Sequence, residues 1–235
     1  MARGSRSRGD SQPPRKRGQR LPSEVRDALP PAVARAWTRI APHLPDGLYL
    51  AGGTAVALRL HHRRSNDLDF FFHKRAVDLD ALERELVALG AAVDLRAPGT
   101  LRVYIGGTKV EFFHADEARP QRQLEPPSEI ADVPVADVRD LMAMKLKVLA
   151  ERGELRDYYD VKEIEERAGV SVEDGIALFR ERYGLDRASD AVRQLIAALG
   201  YLDDCDDDEQ VPLSKDELSA WWRRRQARLL RHLGA

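Results

Sequence analysis

The sequence has few cysteines, no long apolar run and no regular spacing of histidines. The single cysteine, Cys205, excludes an internal disulfide framework and is typical of a reducing compartment. No apolar stretch approaches the roughly 20 residues that a membrane helix needs. The amino-terminal residues contain no apolar signal core, so we expect a cytoplasmic protein with no membrane partner. The six histidines are scattered, and no Cys/His spacing indicates a zinc site.

The composition, with 43% hydrophobic and 33% charged residues, is that of a globular protein. The net charge is −1, yet residues 1–20 hold seven Arg or Lys against one Asp. Because this segment is also rich in Ser, Gly, Pro and Gln, we predict a disordered basic tail over residues 1–21. A basic arm that gathers RNA is the functional alternative. The acidic stretch 203–209 is interpreted as a solvated loop.

The most informative segment runs from Tyr49 to Phe72. A short apolar run reaches Gly52-Gly53, a helix is predicted from Thr54 to about His61, and a basic turn leads into Asp67-Leu-Asp69-Phe-Phe-Phe. Because strand side chains alternate between faces, Asp67 and Asp69 point to the same side. Paired carboxylates of this kind suit Mg²⁺ (or Mn²⁺), and glycines before a helix let a phosphate approach the backbone. A solvated strand end and an ordinary Gly-Gly turn are the alternatives for each half taken alone.

The strings GGTAVAL and RRSNDLDFF resemble the nucleotidyltransferase superfamily of DNA polymerase β-like fold, within it the AbiEii/AbiGii branch that includes the MenT-type toxins. The resemblance covers roughly residues 47–165. It implies an α+β fold in which a catalytic lobe, residues 22–133, holds a small mixed sheet flanked by helices. A helical carboxyl-terminal lobe, residues 134–235, would follow and contribute to the site.

A β-hairpin is predicted around Gly106-Gly107, a two-residue turn of the primed type. Taking that turn literally places Arg102 opposite Glu111, on the face away from the apolar side chains. A cross-strand ion pair with Arg102 is the structural interpretation of Glu111. The family resemblance implies instead that Glu111 is a third acid, which helps to bind metal or accepts a proton from the attacking hydroxyl.

A helix is predicted from the cap Asp137 to about Gly153, and Lys145 lies on its apolar stripe. A lysine there must be paired, reach solvent along its own stem, or aim at a ligand such as a nucleotide phosphate. Asp157 is predicted to cap the next helix, with Asp160 at its third position. The string MKLKVLAERGELRDYYDV resembles later motifs of the same branch, which implies catalytic roles for Lys145 and Asp160. Lys145 would neutralise phosphate charge, and Asp160, or Asp157 as the alternative, would fix Lys145 or the nucleobase end of the site.

The remaining sequence predicts a connecting loop over residues 115–133 and helices over residues 171–235. The last helix, near Ser214–Leu233, carries five arginines behind Trp221 and Trp222. It is interpreted either as a solvated basic face with one inward Trp or as an RNA-contacting helix.

The resemblance also implies the reaction and its partners. A hydroxyl would attack the α-phosphorus of an NTP, with metal held by Asp67, Asp69 and Glu111. The nucleotide would be bound by the main chain or side chains of Gly52, Gly53, Thr54, Ser65, Arg152 and Asp157. An RNA acceptor, the 3′ end of tRNA, would be guided by Arg63, Arg64, Arg152 and Arg156. The expected biological role is a toxin whose cognate antitoxin need not touch this chain. A transferase acting on protein or a small molecule, and a catalytically dead binding module, are the competing hypotheses.

Overall fold

The computed structural model describes residues 21–73, 77–115 and 121–233. The predicted basic tail, apart from Leu21, lies outside the described residues. Nine α-helices and seven β-strands are present in these ranges. The strands are β1 Leu48–Ala51, β2 Leu68–Phe72, β3 Ala92–Ala97, β4 Thr100–Ile105, β5 Thr108–His114, β6 Ser128–Ile130 and β7 Val133–Val135. The helices are α1 Ser23–Ala28, α2 Pro31–Ile40, α3 Gly52–Leu60, α4 Leu79–Ala88, α5 Val138–Arg152, α6 Leu155–Ala168, α7 Val172–Tyr183, α8 Asp190–Ala198 and α9 Lys215–Leu233.

The strands form one mixed sheet in the order β3-β4-β5-β2-β1-β7-β6. Strand β1 pairs antiparallel with β2 and parallel with β7, while β2 pairs parallel with β5. These parallel neighbours place the acid-bearing ends of β2 and β5 side by side. The α+β class and the mixed sheet flanked by helices are therefore confirmed.

The predicted hairpin has the predicted register. Gly106 and Gly107 have φ values of +57° and +83°, the left-handed region that a primed turn requires and that glycine adopts freely. Arg102 lies opposite Glu111, and Val103 lies opposite Val110. Both valines are fully buried, so the polar pair faces the other side of the sheet.

Several helices follow from local sequence. The side chain of Asp78 accepts hydrogen bonds from two main-chain N–H groups at the start of α4, and Asp137 caps α5 by accepting one, from the N–H of Arg139. Helix α3 begins at Gly52, two residues before the predicted start at Thr54, and ends with His61 in the left-handed conformation. Within the described ranges, no helix is both long and apolar enough to cross a membrane.

The segment predicted as a connecting loop, residues 115–133, is partly sheet. Strand β6 lies inside it, and β7 begins at its last residue and continues past the proposed lobe boundary at 133/134. Both strands are three residues long, and Pro134 interrupts the pattern of β7. Such short strands give too little alternation to be predicted from sequence.

Candidate active site

The predicted site residues meet in a cleft of about 430 Å³. One wall is the sheet at β2 and β5, the floor is the amino terminus of α3, and the opposite wall is formed by α5 and α6. Nine of the eleven residues predicted from sequence line it: Gly52, Gly53, Ser65, Asp67, Asp69, Glu111, Lys145, Arg152 and Asp157. Residues distant in sequence therefore meet at one surface, but Thr54 and Asp160 lie behind it.

The three predicted acids lie on the same edge of two neighbouring strands. Asp69 and Glu111 are direct partners in the parallel pairing of β2 with β5, and Asp67 lies just before β2. Glu111 is buried, and its Oε1 accepts a hydrogen bond from Arg102 Nε at 2.7 Å. The cross-strand ion pair and the position in the cleft, which the sequence analysis treated as alternatives, are thus both present.

Lys109, which lies between the acids, is a cleft residue that was not predicted from the sequence. Its Nζ is 3.2 Å from Asp67 Oδ2 and 3.0 Å from Glu111 Oε2. The position could have been found, because Lys109 precedes Glu111 by two residues on β5 and so shares its face.

Of the three acids, Asp69 is the one whose negative charge is least compensated by hydrogen bonds or ion pairs. Among the residues that the structure describes, it makes no hydrogen bond or ion pair, in contrast to Asp67 and Glu111. Burial, and after it the negative charges of Glu111 and Asp67, raise the pKa of Asp69 to about 6. A carboxylate held in this way is stabilised by any cation that binds beside it.

The chemistry of the acids fits a hard divalent cation. Three carboxylates share one edge, and the Lys109 ammonium already stands between two of them as a cation. In the described part of the chain, however, no three His, Cys, Asp or Glu side chains converge tightly enough to enclose a metal ion alone. Mg²⁺ does not need such a cage, since it keeps several waters and shares substrate phosphates. Asp67 and Asp69, with Glu111 beside them, are the residues that would hold it.

Position 52 requires glycine for two independent reasons. Its φ is +66°, and a Cβ at this position would lie 2.2 Å from Asp69 Oδ2. At Gly53 a Cβ would lie 2.7 Å from the Arg63 guanidinium and 3.1 Å from Ser65 Oγ. The two glycines therefore let the start of α3 approach the acids and leave main-chain N–H groups at its positive end beside the cleft.

We expect Gly52→Ala to reduce both stability and metal binding, because the new methyl group displaces the Asp69 carboxylate. Gly106→Ala is the matched control, since Gly106 also has positive φ (+57°) but has open space around the Cβ position. Left-handed backbone strain alone should cost each variant about 1 kcal/mol of unfolding free energy. The additional loss in Gly52→Ala is measured by chemical denaturation and by Mn²⁺ titration. Equal metal affinity in the two variants would show that Gly52 does not position Asp69.

The structure corrects the expectation that Thr54 faces the nucleotide. Thr54 is fully buried, and its hydroxyl donates a hydrogen bond to the main-chain carbonyl of Asp67. It fixes the start of the acid-bearing strand. Ser65 remains at the cleft surface beside Gly53.

Asp160 lies beneath the cleft at the centre of a buried ionic network. Its Oδ2 is 2.7 Å from Lys145 Nζ and 2.8 Å from Arg63 Nη2, and its Oδ1 is 2.6 Å from Arg63 Nε and 2.7 Å from His62 Nε2. Burial alone would raise the pKa of Asp160, but Lys145 and Arg63 reverse this and hold it well below its usual value. Asp160 therefore stays ionised and holds Lys145, which is one of the two roles predicted for it. It does so from beneath the cleft, which corrects its predicted place in the cleft lining.

Lys145 bridges Asp160 and Asp157, whose Oδ1 is also 2.7 Å from Nζ. Burial opposes the charged form, but Asp157 and then Asp160 outweigh it and raise the pKa of Lys145. The cleft wall therefore carries a permanent ammonium. Asp157 is not the cap of α6 as predicted. Glu154 is the capping residue, and Asp157, as the third residue of the helix, closes a capping box with it.

The basic residues predicted to guide RNA have different environments. Arg63 is buried and paired with Asp160, which corrects its predicted role in guiding RNA, and His62 beside it is also buried. Arg152 remains exposed at the cleft, while Arg156 pairs with Glu154 and Asp208.

Helix α9 has one inward Trp and an exposed basic face, as the structural interpretation of its sequence predicts. Trp222 is buried, and Arg225 is buried between Glu165 and Glu173. Its outer face carries four exposed arginines: Arg223, Arg224, Arg228 and Arg231.

The sequence of this chain matches a known family model and a curated relative. A family model described as "Nucleotidyl transferase AbiEii toxin, Type IV TA system" matches residues 35–234. A curated Aquifex aeolicus protein, uncharacterized protein aq_aa25, is 30% identical over 169 residues, which span 70% of this chain and 77% of that protein.

Two solved structures show the same fold. JHP933 from Helicobacter pylori aligns with a TM-score of 0.55 at 16% identity, covering 91% of this chain and 95% of its own. MenT4, a nucleotidyltransferase toxin from Mycobacterium tuberculosis, aligns with a TM-score of 0.52 at 21% identity, covering 88% of this chain and 85% of its own.

Proposed function

Because the chain belongs to the AbiEii nucleotidyl transferase toxin family, we propose that it transfers a nucleoside monophosphate from an NTP to the 3′ end of tRNA in a reaction that depends on Mg²⁺. Membership makes the protein a nucleotidyltransferase of a toxin–antitoxin family, as the resemblance of its motifs implied. The observation that carries the proposal is the meeting of Asp67, Asp69 and Glu111 with the amino terminus of α3 in one cleft.

The residues of the cleft have complementary tasks in the proposed transfer. The main-chain N–H groups of Gly52 and Gly53, at the positive end of α3, bind the β- and γ-phosphates, with the Ser65 hydroxyl beside them. Lys145 neutralises phosphate charge from the opposite wall, and Asp160 and Asp157 hold its Nζ in place. Glu111 orients the attacking hydroxyl and accepts its proton.

In the chemical step, the acceptor oxygen forms a bond to the α-phosphorus while the bond from that phosphorus to the oxygen bridging to the β-phosphate breaks. Pyrophosphate carries away the leaving electron pair. Asp67 and Asp69 would hold Mg²⁺, which would supply electrostatic stabilisation of the charge that grows on the attacking and leaving oxygens.

Exposed arginines support an RNA acceptor. Arg152 and Arg64 are exposed, as is the arginine face of α9. Guanidinium groups bind phosphates well, so binding through them should weaken as salt rises.

The acceptor is tested by incubating the protein with Mg²⁺, total tRNA and each α-³²P-labelled NTP in turn. We expect label in tRNA from one or a few of the four NTPs, and none in tRNA whose 3′-terminal diol has been oxidised with periodate. Label on protein would replace RNA by a protein acceptor, and an absence of label would favour a small-molecule acceptor or a dead binding module.

A cellular prediction follows from membership of a toxin family. Induced expression of the wild-type chain should arrest bacterial growth, whereas Asp69→Asn expressed to the same level should not. Colony counts after induction measure the effect. Arrest that persists in Asp69→Asn would show that toxicity comes from binding and not from transfer.

A further inference from the structure

Lys109 occupies the space between two of the acids that are proposed to bind metal. Its Nζ lies 3.2 Å from Asp67 Oδ2 on one side and 3.0 Å from Glu111 Oε2 on the other. These are ion-pair distances to both partners, so the ammonium offsets the negative charge of both carboxylates. Glu111 keeps a second cation, because Arg102 binds its other oxygen at 2.7 Å.

A divalent ion at this edge of the sheet would compete directly with Lys109. Two cations a few ångströms apart repel strongly where solvent is partly excluded. Asp67 Oδ2 and Glu111 Oε2 would also have to exchange the ammonium for metal or for metal-bound water. The metal therefore has to displace Lys109 or bind more weakly beside it.

The side chain of Lys109 can leave. It is 30% exposed, whereas the side chain of Lys145 is 8% exposed and held by two buried aspartates. Its charge sits at the end of a flexible four-carbon stem. Lys109 also lines the cleft, so phosphates arriving there would offer its ammonium new anionic partners.

We propose that Lys109 is a placeholder cation, which neutralises the acids in the nucleotide-free protein and is displaced when a divalent metal binds. This inference rests on the proposed function and adds to it a residue that limits metal binding when NTP is absent. Lys109 is a positioning residue in this account, since it acts through Asp67 and Glu111.

The test is Mn²⁺ binding to the full-length, nucleotide-free protein, followed by the electron paramagnetic resonance of free Mn²⁺. Lys109→Met and Lys109→Gln remove the charge, and Lys109→Arg keeps it. Lys147→Met is the matched control, because Lys147 also lines the cleft but pairs with Glu151. Thermal unfolding in EDTA verifies that each variant is folded.

We expect both neutral variants to bind Mn²⁺ about tenfold more tightly than the wild type, as removal of one nearby positive charge should produce. Lys109→Arg and Lys147→Met should stay within about twofold of the wild type. Unchanged or weaker Mn²⁺ binding in the neutral variants, with clear binding by the wild type, would overturn the placeholder role alone. Failure of all forms to bind Mn²⁺ would overturn this inference and leave the proposed function standing, because Mg²⁺ can still bind together with the phosphates of NTP.

Discussion

Asp69→Asn is expected to lower the rate of nucleotidyl transfer by at least about 10³-fold without unfolding the protein, since electrostatic stabilisation of a phosphoryl transition state is worth several kcal/mol. Asp69 is the central acid of the cluster, a partner of Glu111 across the two strands and in contact range of the α3 amino terminus. Asparagine keeps its shape but removes the charge that would hold metal. Single-turnover transfer of labelled nucleotide measures the loss. Activity within tenfold of the wild type would exclude Asp69 as a metal ligand.

The same substitution should stabilise the metal-free protein at neutral pH. An acid whose pKa is raised from its ordinary 3.8 to about 6 binds more protons folded than unfolded between these values, so its ionisation costs stability as pH rises. This cost is absent below about pH 4 and complete above about pH 6, where it amounts to at most about 3 kcal/mol. Denaturation of both proteins in EDTA at pH 4.5 and 7.5 measures it. A gain for Asp69→Asn that is larger at the lower pH would contradict the sign.

Asp160→Ala is expected to lower the free energy of unfolding by about 3–5 kcal/mol, the usual cost of removing one partner from a buried ionic pair. The carboxylate is fully buried and accepts from Arg63, His62 and Lys145. Without it the Arg63 guanidinium stays buried beside a cavity. Lys145 keeps Asp157 as a partner, so Arg63 should account for most of the loss.

Two further variants separate this network from a general effect of removing charge. Asp203→Ala removes a carboxylate that is 65% exposed and lies 3.9 Å from Arg223, so it should cost less than about 1 kcal/mol. Adding Arg63→Met to Asp160→Ala should cost little more than Asp160→Ala alone, because the stranded charge is removed as well. Additive losses in urea denaturation would show that Arg63 and Asp160 do not stabilise each other.

The parts of the site that depend on local spacing could be predicted from the sequence. Gly106-Gly107 dictates a two-residue turn, which fixes the strand register and puts Glu111 on the polar face. A lysine on an apolar helix stripe must have a partner, so Lys145 could be identified as unusual before its partners were known. The resemblance to the family motifs then indicated which other acids belong to the site.

Contacts across long stretches of chain could not be predicted in this way. Arg63 and Asp160 are 97 positions apart, and nothing in either local sequence indicates that the basic turn folds inward. The pairing of Asp160 with Lys145 could be predicted from the family motifs, but its position beneath the cleft and its contact with Arg63 could not. Lys109 was not predicted for a different reason. A lysine on a strand face beside an acid is so common that its position between two acids becomes informative once β2 is placed against β5.

The most direct test of the central claim is to follow each phosphate of the donor. The protein is incubated with Mg²⁺, tRNA and the preferred NTP, labelled with ³²P in one reaction at the α-phosphate and in a parallel reaction at the γ-phosphate. Nucleotidyl transfer in the cleft of Asp67, Asp69 and Glu111 predicts that α-label enters the acceptor and γ-label is released as pyrophosphate, with neither product in Asp69→Asn. Entry of γ-label into the acceptor, or transfer that survives Asp69→Asn, would contradict it.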